Sequence, residues 1–375
     1  MRNLSYLDYN ATTPVRPAVV EAIRETLERT GNPSSVHRFG REARRAAEQS
    51  RQSVAAMVGA APDQIVFTSG GTEANNQALR SARGAVVVSA VEHDSVLAAV
   101  PDALRVPVDA EGRLDLGALE QVLARLAPEL VSVMFANNET GVIQPVCEVA
   151  EIARRHGARV HCDAVQAGGK LAIDLAALGV DFLTLSAHKF GGPQGVGALV
   201  VRDGVEPDAL LRGGGQERRW RPGTENLPGI VGFGRACELA MADADWRKRT
   251  GALRDRLEAR VAALAPAARV FGRSTGRLPN TSCLTMPGVS NQTQLIEFDL
   301  AGIAVSTGSA CSSGKVGPSH VLAAMGIDPA EAASAIRISL GWASTPQDVD
   351  RFMDAWGRLY GRTRRAAADA IARPA

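Results

Sequence analysis

The feature that most restricts how this chain can fold is an alternation of short apolar runs of strand length with stretches of helical periodicity. The strand-like runs are QIVFTS (64–69), AVVVSA (85–90), LVSVMFA (130–136), ARVHCDA (158–164), DFLTLSA (181–187) and VGALVVR (196–202). Between them, Leu116–Ala127 and Pro145–His156 repeat apolar residues at helical spacing, and the second ends in basic residues and Gly157, a stop signal. Strands separated by helices line up most readily in a largely parallel sheet with helices on its faces, so the class is α/β. Earlier helices are expected at about 15–29 and 39–58, and a helix-rich stretch from Gly229 to about Leu264. Short strands, a Gly/Ser-rich loop (306–317) and a closing helix from Pro346 follow, with a frayed Ala/Arg-rich tail after Gly361. The organisation reads as a large domain over 13–245 and a smaller α+β domain made of 1–12 and 246–375.

Composition removes several function classes. The formal charge is +2, from 42 basic and 40 acidic residues, so neither nucleic acid nor an anionic membrane surface is an expected direct partner. No apolar run reaches the roughly 18 residues that a membrane span needs. The opening MRNLSYLDYN lacks the apolar stretch of a secretory signal. Five cysteines, at 147, 162, 237, 283 and 311, form no CxxC pair, so neither a disulfide framework nor a zinc ribbon is indicated, and those at 147, 162, 237 and 283 are expected as small buried apolar residues. A reducing cytoplasm is the expected location.

In open α/β sheets a ligand sits beyond the carboxyl ends of the strands. The segments that follow the strand runs are TSGGTEANN, VEHDSV, NNETG, DAVQAGGK and HKFGG. Gly70, Gly71 and Thr72 suit a backbone cradle for phosphate at a helix start, although a plain capped helix fits the same residues. His161 and Asp163 share a strand face, but no third metal ligand is evident, so no metal is expected. His93 opens a helix and can be structural or functional. Lys189 follows a mostly apolar run and precedes glycines, where a strand turns. One cofactor uses all of these parts. Pyridoxal phosphate takes a lysine for a Schiff base, a carboxylate beside its pyridine nitrogen, a phosphate cup, and a ring stacked over its own. A carboxylate about 4 Å from that nitrogen, at an effective dielectric of about 20, is worth roughly 4 kcal/mol, or about three pKa units.

With these motifs in hand, the chain resembles the cysteine desulfurases of the class-V aminotransferase family, which are fold-type-I pyridoxal-phosphate-dependent transferases. The resemblance runs through YLDYNATTP, GNPSSVHRFG, FTSGGTEANN, EHDSV, NNETG, CDAVQAGGK, SAHKFGGPQGVG, GGGQER…RPGTEN, STGSACSSG and IRISLG. It implies that Lys189 forms the Schiff base, Asp163 pairs with the pyridine nitrogen, and Gln166 meets the ring's phenolic oxygen. His93 would stack on the ring and help move protons. Thr72, Ser186 and His188, beside Gly71, would hold the phosphate, joined by Thr224 of a second subunit, which implies a homodimer. Arg337 would clamp the carboxylate of L-cysteine, with Asn32 nearby, and Asn138 would contact cofactor or substrate. Cys311 would receive the sulfur as a persulfide and pass it to an acceptor protein, an iron–sulfur scaffold or a sulfur carrier, as alanine is released. An aminotransferase or a selenocysteine lyase of the same fold is the alternative. One departure is Arg219, where the family usually has glycine, which leaves the local turn open.

Overall fold

The computed structural model describes residues 4–243, 245–307 and 318–372, with side chains described through residue 365. Its strands are β1 (Ser5–Tyr6), β2 (Ile65–Thr68), β3 (Val86–Ser89), β4 (Leu104–Val106), β5 (Leu130–Met134) and β6 (Arg159–Asp163). They continue with β7 (Phe182–Ser186), β8 (Gly197–Val201), β9 (Thr281–Thr285), β10 (Ile303–Ala304) and β11 (Ala335–Ser339). Seven of them form one sheet in the order β2-β8-β7-β6-β5-β3-β4. The pairs among β3 to β7 are parallel, whereas β8 runs antiparallel to both of its neighbours. The carboxyl ends of β2 to β7 therefore share one edge. Strands β5, β7 and β8 are buried along their whole length, as expected when helices cover both faces.

Helices form where the sequence places caps and apolar spacing. Asp115, Asp174 and Ser290 each accept the amide three residues on and open the helices Leu116–Leu126, Leu175–Leu178 and Asn291–Leu300. The expected stretch from Gly229 is two helices, Leu227–Ala242 and Trp246–Leu264. The closing helix runs without a break over Pro346–Ala372, through the tail expected to fray.

Val133, Leu183, Val200 and Phe233 belong to one apolar cluster on the sheet, and Val66, Leu79, Phe182 and Leu199 to another. A separate cluster joins Leu7, Leu257, Phe298, Phe352 and Trp356 beside the two-stranded pairs β9/β11 and β1/β10. There the Phe298 and Phe352 rings stack with centroids 5.0 Å apart. The N-terminal segment spans both parts. Leu7 N donates to Ala304 O at 2.9 Å, and Thr13 N donates to His188 O at 2.8 Å.

One expectation needs correction, and one turn that the sequence left open is defined. Cys162, Cys237 and Cys283 are buried, as a small apolar residue would be, but Cys147 is exposed, because position 147 faces outward from helix Val146–Arg155. The turn at Arg219 keeps the left-handed backbone that glycine favours, with φ of 43°, 57° and 68° at Glu217, Arg218 and Arg219. Glu217 holds it there, accepting from both terminal nitrogens of Arg51 (2.9 and 2.6 Å) and from Phe67 N (2.9 Å).

Candidate active site

The shared strand edge opens into a cavity of about 280 Å³. β6 ends in Asp163. β7 ends in Ser186 and turns at once into a 3-10 segment, Ala187–Lys189, that carries His188 and Lys189. β2 leads through Gly70 into helix Gly71–Arg80, whose first residues line the cavity. The first amides of a helix have no intrahelical partner and suit an anion. A Cβ on Gly71 would lie 2.7 Å from Val165 Cγ2, so any larger residue there would force a shift. His93 caps the turn after β3, Asn138 follows β5, and Arg337 enters from β11.

Asp163 is 5% exposed and its carboxylate is held from two sides. Oδ2 accepts from Asn75 Nδ2 at 2.7 Å, and Oδ1 accepts from Val165 N at 3.0 Å. The same Asn75 nitrogen donates to Ser95 Oγ at 2.9 Å, and Ser95 Oγ lies 2.7 Å from His93 Nδ1. Ser95 N also donates to His93 Nδ1 at 3.1 Å, so the neutral ring carries its proton on Nε2. Behind Asp163, burial and then the Asp163 charge hold the Glu92 carboxyl well above the usual carboxylate range. Burial pushes His161 down to about 4, and its ring nitrogens lie at 2.8 and 3.0 Å from the hydroxyls of Ser132 and Thr184. Neither neighbour offers Asp163 a counter-charge from within the protein.

Lys189 Nζ donates to Asn10 O at 2.7 Å and to Ala11 O at 2.9 Å. His188 is pushed down to about 4 by burial and by the charges of Lys189 and Lys170, so it is neutral near pH 7. Its Nδ1 lies 3.1 Å from Thr12 Oγ1. Gln166 Nε2 donates to the same Asn10 carbonyl at 2.9 Å. Arg337 is buried, pairs with Asp8 at 2.6 Å and donates to Asn138 O at 3.1 Å.

The cavity thus gathers Gly71, Thr72, His93, Asn138, Asp163, Gln166, Ser186, His188, Lys189 and Arg337. Two expected residues are not brought to it. Asn32 Oδ1 accepts from Ser34 N at 2.8 Å away from the cavity, and Thr224 is exposed on its own chain. Cys311 lies outside the described residues. The residues flanking its segment are tied to the site. Ser306 and Arg337 exchange backbone hydrogen bonds, Ser319 Oγ donates to Glu139 Oε2 at 2.5 Å, and the His320 ring lies 2.9 Å from Glu92 O. The sequence reading missed Asp8, Asn10, Asn75 and Lys170. All four lie inside motifs that drew attention, and the signal was a polar side chain next to apolar or small residues.

A family model described as aminotransferase class-V matches residues 5–352. A cysteine desulfurase of Cereibacter sphaeroides is 48% identical over 367 residues, covering 93% of this chain and 94% of that protein. The crystal structure of a NifS-like protein from Rickettsia africae superposes with a TM-score of 0.90 at 37% identity, over 96% of this chain and all of that one. A structure described as SspA in complex with cysteine gives a TM-score of 0.78 at 32% identity, over 90% of this chain and 98% of that one. The strand-end cavity and these likenesses agree, and the chain belongs to the class-V aminotransferase family, among its cysteine desulfurases.

Proposed function

We propose that the protein is a pyridoxal-phosphate-dependent sulfurtransferase that converts L-cysteine to L-alanine and leaves the sulfur on a protein thiol. The observation that carries this reading is the meeting of an amine, a buried carboxylate, a guanidinium and a helix start in one cavity of about 280 Å³. The donor set fits pyridoxal phosphate. Lys189 would bond its aldehyde carbon, Asp163 face its ring nitrogen, Gln166 its phenolic oxygen and His93 its ring. Gly71, Thr72, Ser186 and His188 would hold its phosphate, and the close approach of Val165 to Gly71 supports a cradle made of backbone. When bound, the cofactor supplies an electron sink that acidifies the substrate Cα–H.

The remaining work falls to the chain. Arg337, pre-aligned by Asp8 and Asn138 O, would take the substrate carboxylate. Lys189 Nζ would remove the Cα proton and return it. The Cys311 thiolate would attack the substrate sulfur: an S–S bond forms as the C–S bond breaks, and the carbon left behind is protonated to alanine. A thiol at 311, set among serines and glycine in the sequence, suits a hand-off to an acceptor protein of iron–sulfur assembly or a thiolation pathway. As part of the same reading, the cofactor belongs to a large domain (13–245) and the Cys311 segment to a small one (1–12 and 246–375). The separate apolar cluster around Trp356 supports that division. Thr224, exposed on its own chain, would complete the phosphate site of a second copy in a homodimer.

Borohydride reduction of the yellow holoenzyme, followed by peptide mapping, should label Lys189, and Lys189→Ala should abolish both label and alanine formation. Mass spectrometry after cysteine should place the added sulfur on the Cys311 peptide. Sulfur on another cysteine, or alanine formed at the wild-type rate by Cys311→Ser, would sink the reading. A holoenzyme of monomer mass in solution would remove the role of Thr224.

A further inference from the structure

A second lysine stands behind the first. Lys170 is 3% exposed, and among the described residues it has no carboxylate partner. Its Nζ donates to Gln166 Oε1 at 2.7 Å and to Asn10 Oδ1 at 3.1 Å. Burying a lysine without a counter-ion is costly, so a leucine at this place would be the cheaper choice for packing alone. The nearby charges that act on it, Lys189 and Arg337, are both cations. Burial, and then these two cations, push its ammonium well below the usual lysine range, and Nζ has hydrogens enough to donate to both acceptors.

The Gln166 amide is pinned at both ends. Its Nε2 faces the Asn10 carbonyl, which can only accept, and its Oε1 faces an amine that donates. A flipped amide would set oxygen against oxygen and NH₂ against the amine, so the partners fix the orientation. Nε2 has a second hydrogen, and Gln166 lines the cavity. The Asn10 carbonyl is shared with Lys189 Nζ, so the amide and the reactive amine hang on one acceptor.

We propose that Lys170 is a positioning residue: by holding Gln166 Oε1 it presents the Gln166 N–H to the cavity and makes the site select an oxyanion at that place on the bound ligand. The inference rests on the pyridoxal phosphate reading above, in which that oxyanion is the ring's phenolic oxygen. The test uses holoenzyme carrying Lys170→Met, Gln166→Leu, and both. The readout is the pH midpoint of the bound cofactor's visible absorbance, with thermal melting as a control for folding. Lys170→Met is expected to raise the midpoint by about one pH unit, because a ligand that loses a donor to its oxyanion holds its proton more tightly. Gln166→Leu should raise it by a similar amount, and the double variant no further than either single change, since both remove one contact. An unmoved midpoint in folded Lys170→Met, or additive shifts in the double variant, overturns the proposal. Lys170→Leu is the second neutral replacement. If neither replacement folds, Lys170 is a group the fold itself requires and the positioning role is wrong. A wild-type protein that binds no pyridoxal phosphate overturns both readings, and it is told apart because no variant is needed to see it.

Discussion

Arg337 shows how a side chain's use is set by what holds it. Its guanidinium is buried, with one edge on Asp8 at 2.6 Å and Asn138 O at 3.1 Å. A planar fork held in this way can still receive a carboxylate, and an ammonium at the same place cannot offer two parallel contacts. Arg337→Lys should therefore raise KM for cysteine about tenfold or more, with a smaller change in kcat, in steady-state alanine formation. An unchanged KM would move the carboxylate site elsewhere. Asp163 makes the complementary case. Its hydrogen bonds from Asn75 and Val165 orient the carboxylate without neutralising it. Asp163→Asn should retain bound cofactor, seen by absorbance, and lose on the order of a hundredfold in kcat, because the ring nitrogen loses its counter-charge. Near-normal turnover would make Asp163 a structural group.

At the scale of elements, the turn at Gln216–Arg219 is the costly one. A left-handed residue other than glycine costs about 1–2 kcal/mol, and three stand in a row at Glu217, Arg218 and Arg219. What offsets this is the Glu217–Arg51 pair, whose side chains are 3% and 12% exposed. Removing one partner leaves the other charge buried, so Glu217→Ala should destabilise the protein by about 3 kcal/mol in denaturant melts. Arg219→Gly should cost nothing or stabilise by about 1 kcal/mol, since glycine takes the same backbone without strain. A loss in Arg219→Gly as large as in Glu217→Ala would show that the strain account is wrong. The direction of β8 also belongs to this scale. Apolar alternation marks a strand without saying which way it runs. Only the short link from Lys189 to Val196 argues against a parallel crossover, which needs a dozen or more residues.

For the whole molecule, pH stability follows from groups buried in one charge state. His161 titrates at about 4 in the folded chain against 6.5 for an ordinary histidine. Between those values the unfolded chain binds the extra proton. The stability that His161 contributes is thus complete above pH 6.5 and is lost as pH falls toward 4, by roughly 3 kcal/mol. Glu92 acts in the opposite sense: burial and then the Asp163 charge raise its carboxyl well above the usual range, so its contribution is lost as pH rises above the ordinary carboxylate value. The difference between wild type and His161→Gln isolates the first effect. The wild-type melting temperature should drop more steeply between pH 7 and pH 4.5 than that of His161→Gln. Parallel curves would remove His161 as the cause.

The sequence by itself determined the α/β class, most strand and helix positions, and the strand ends where Asp163, Lys189 and His93 stand. Each follows from local patterns: apolar periodicity, cap residues, and polar groups placed directly after a strand. Arg337 and Gln166 were legible through the family resemblance and not through periodicity. Only the tertiary structure decided that Asp8 meets Arg337 and that Asn10 joins Lys170, Gln166 and Lys189. These contacts span up to 329 positions along the chain, and a periodic pattern carries no information at that range. It also decided that Lys170 is buried, that Cys147 is not, and that Asn32 and Thr224 stand apart from their own chain's cavity. Burial is a property of the packed whole: a lysine in CDAVQAGGK reads the same whether water or two amide oxygens surround it, and only folding settles which.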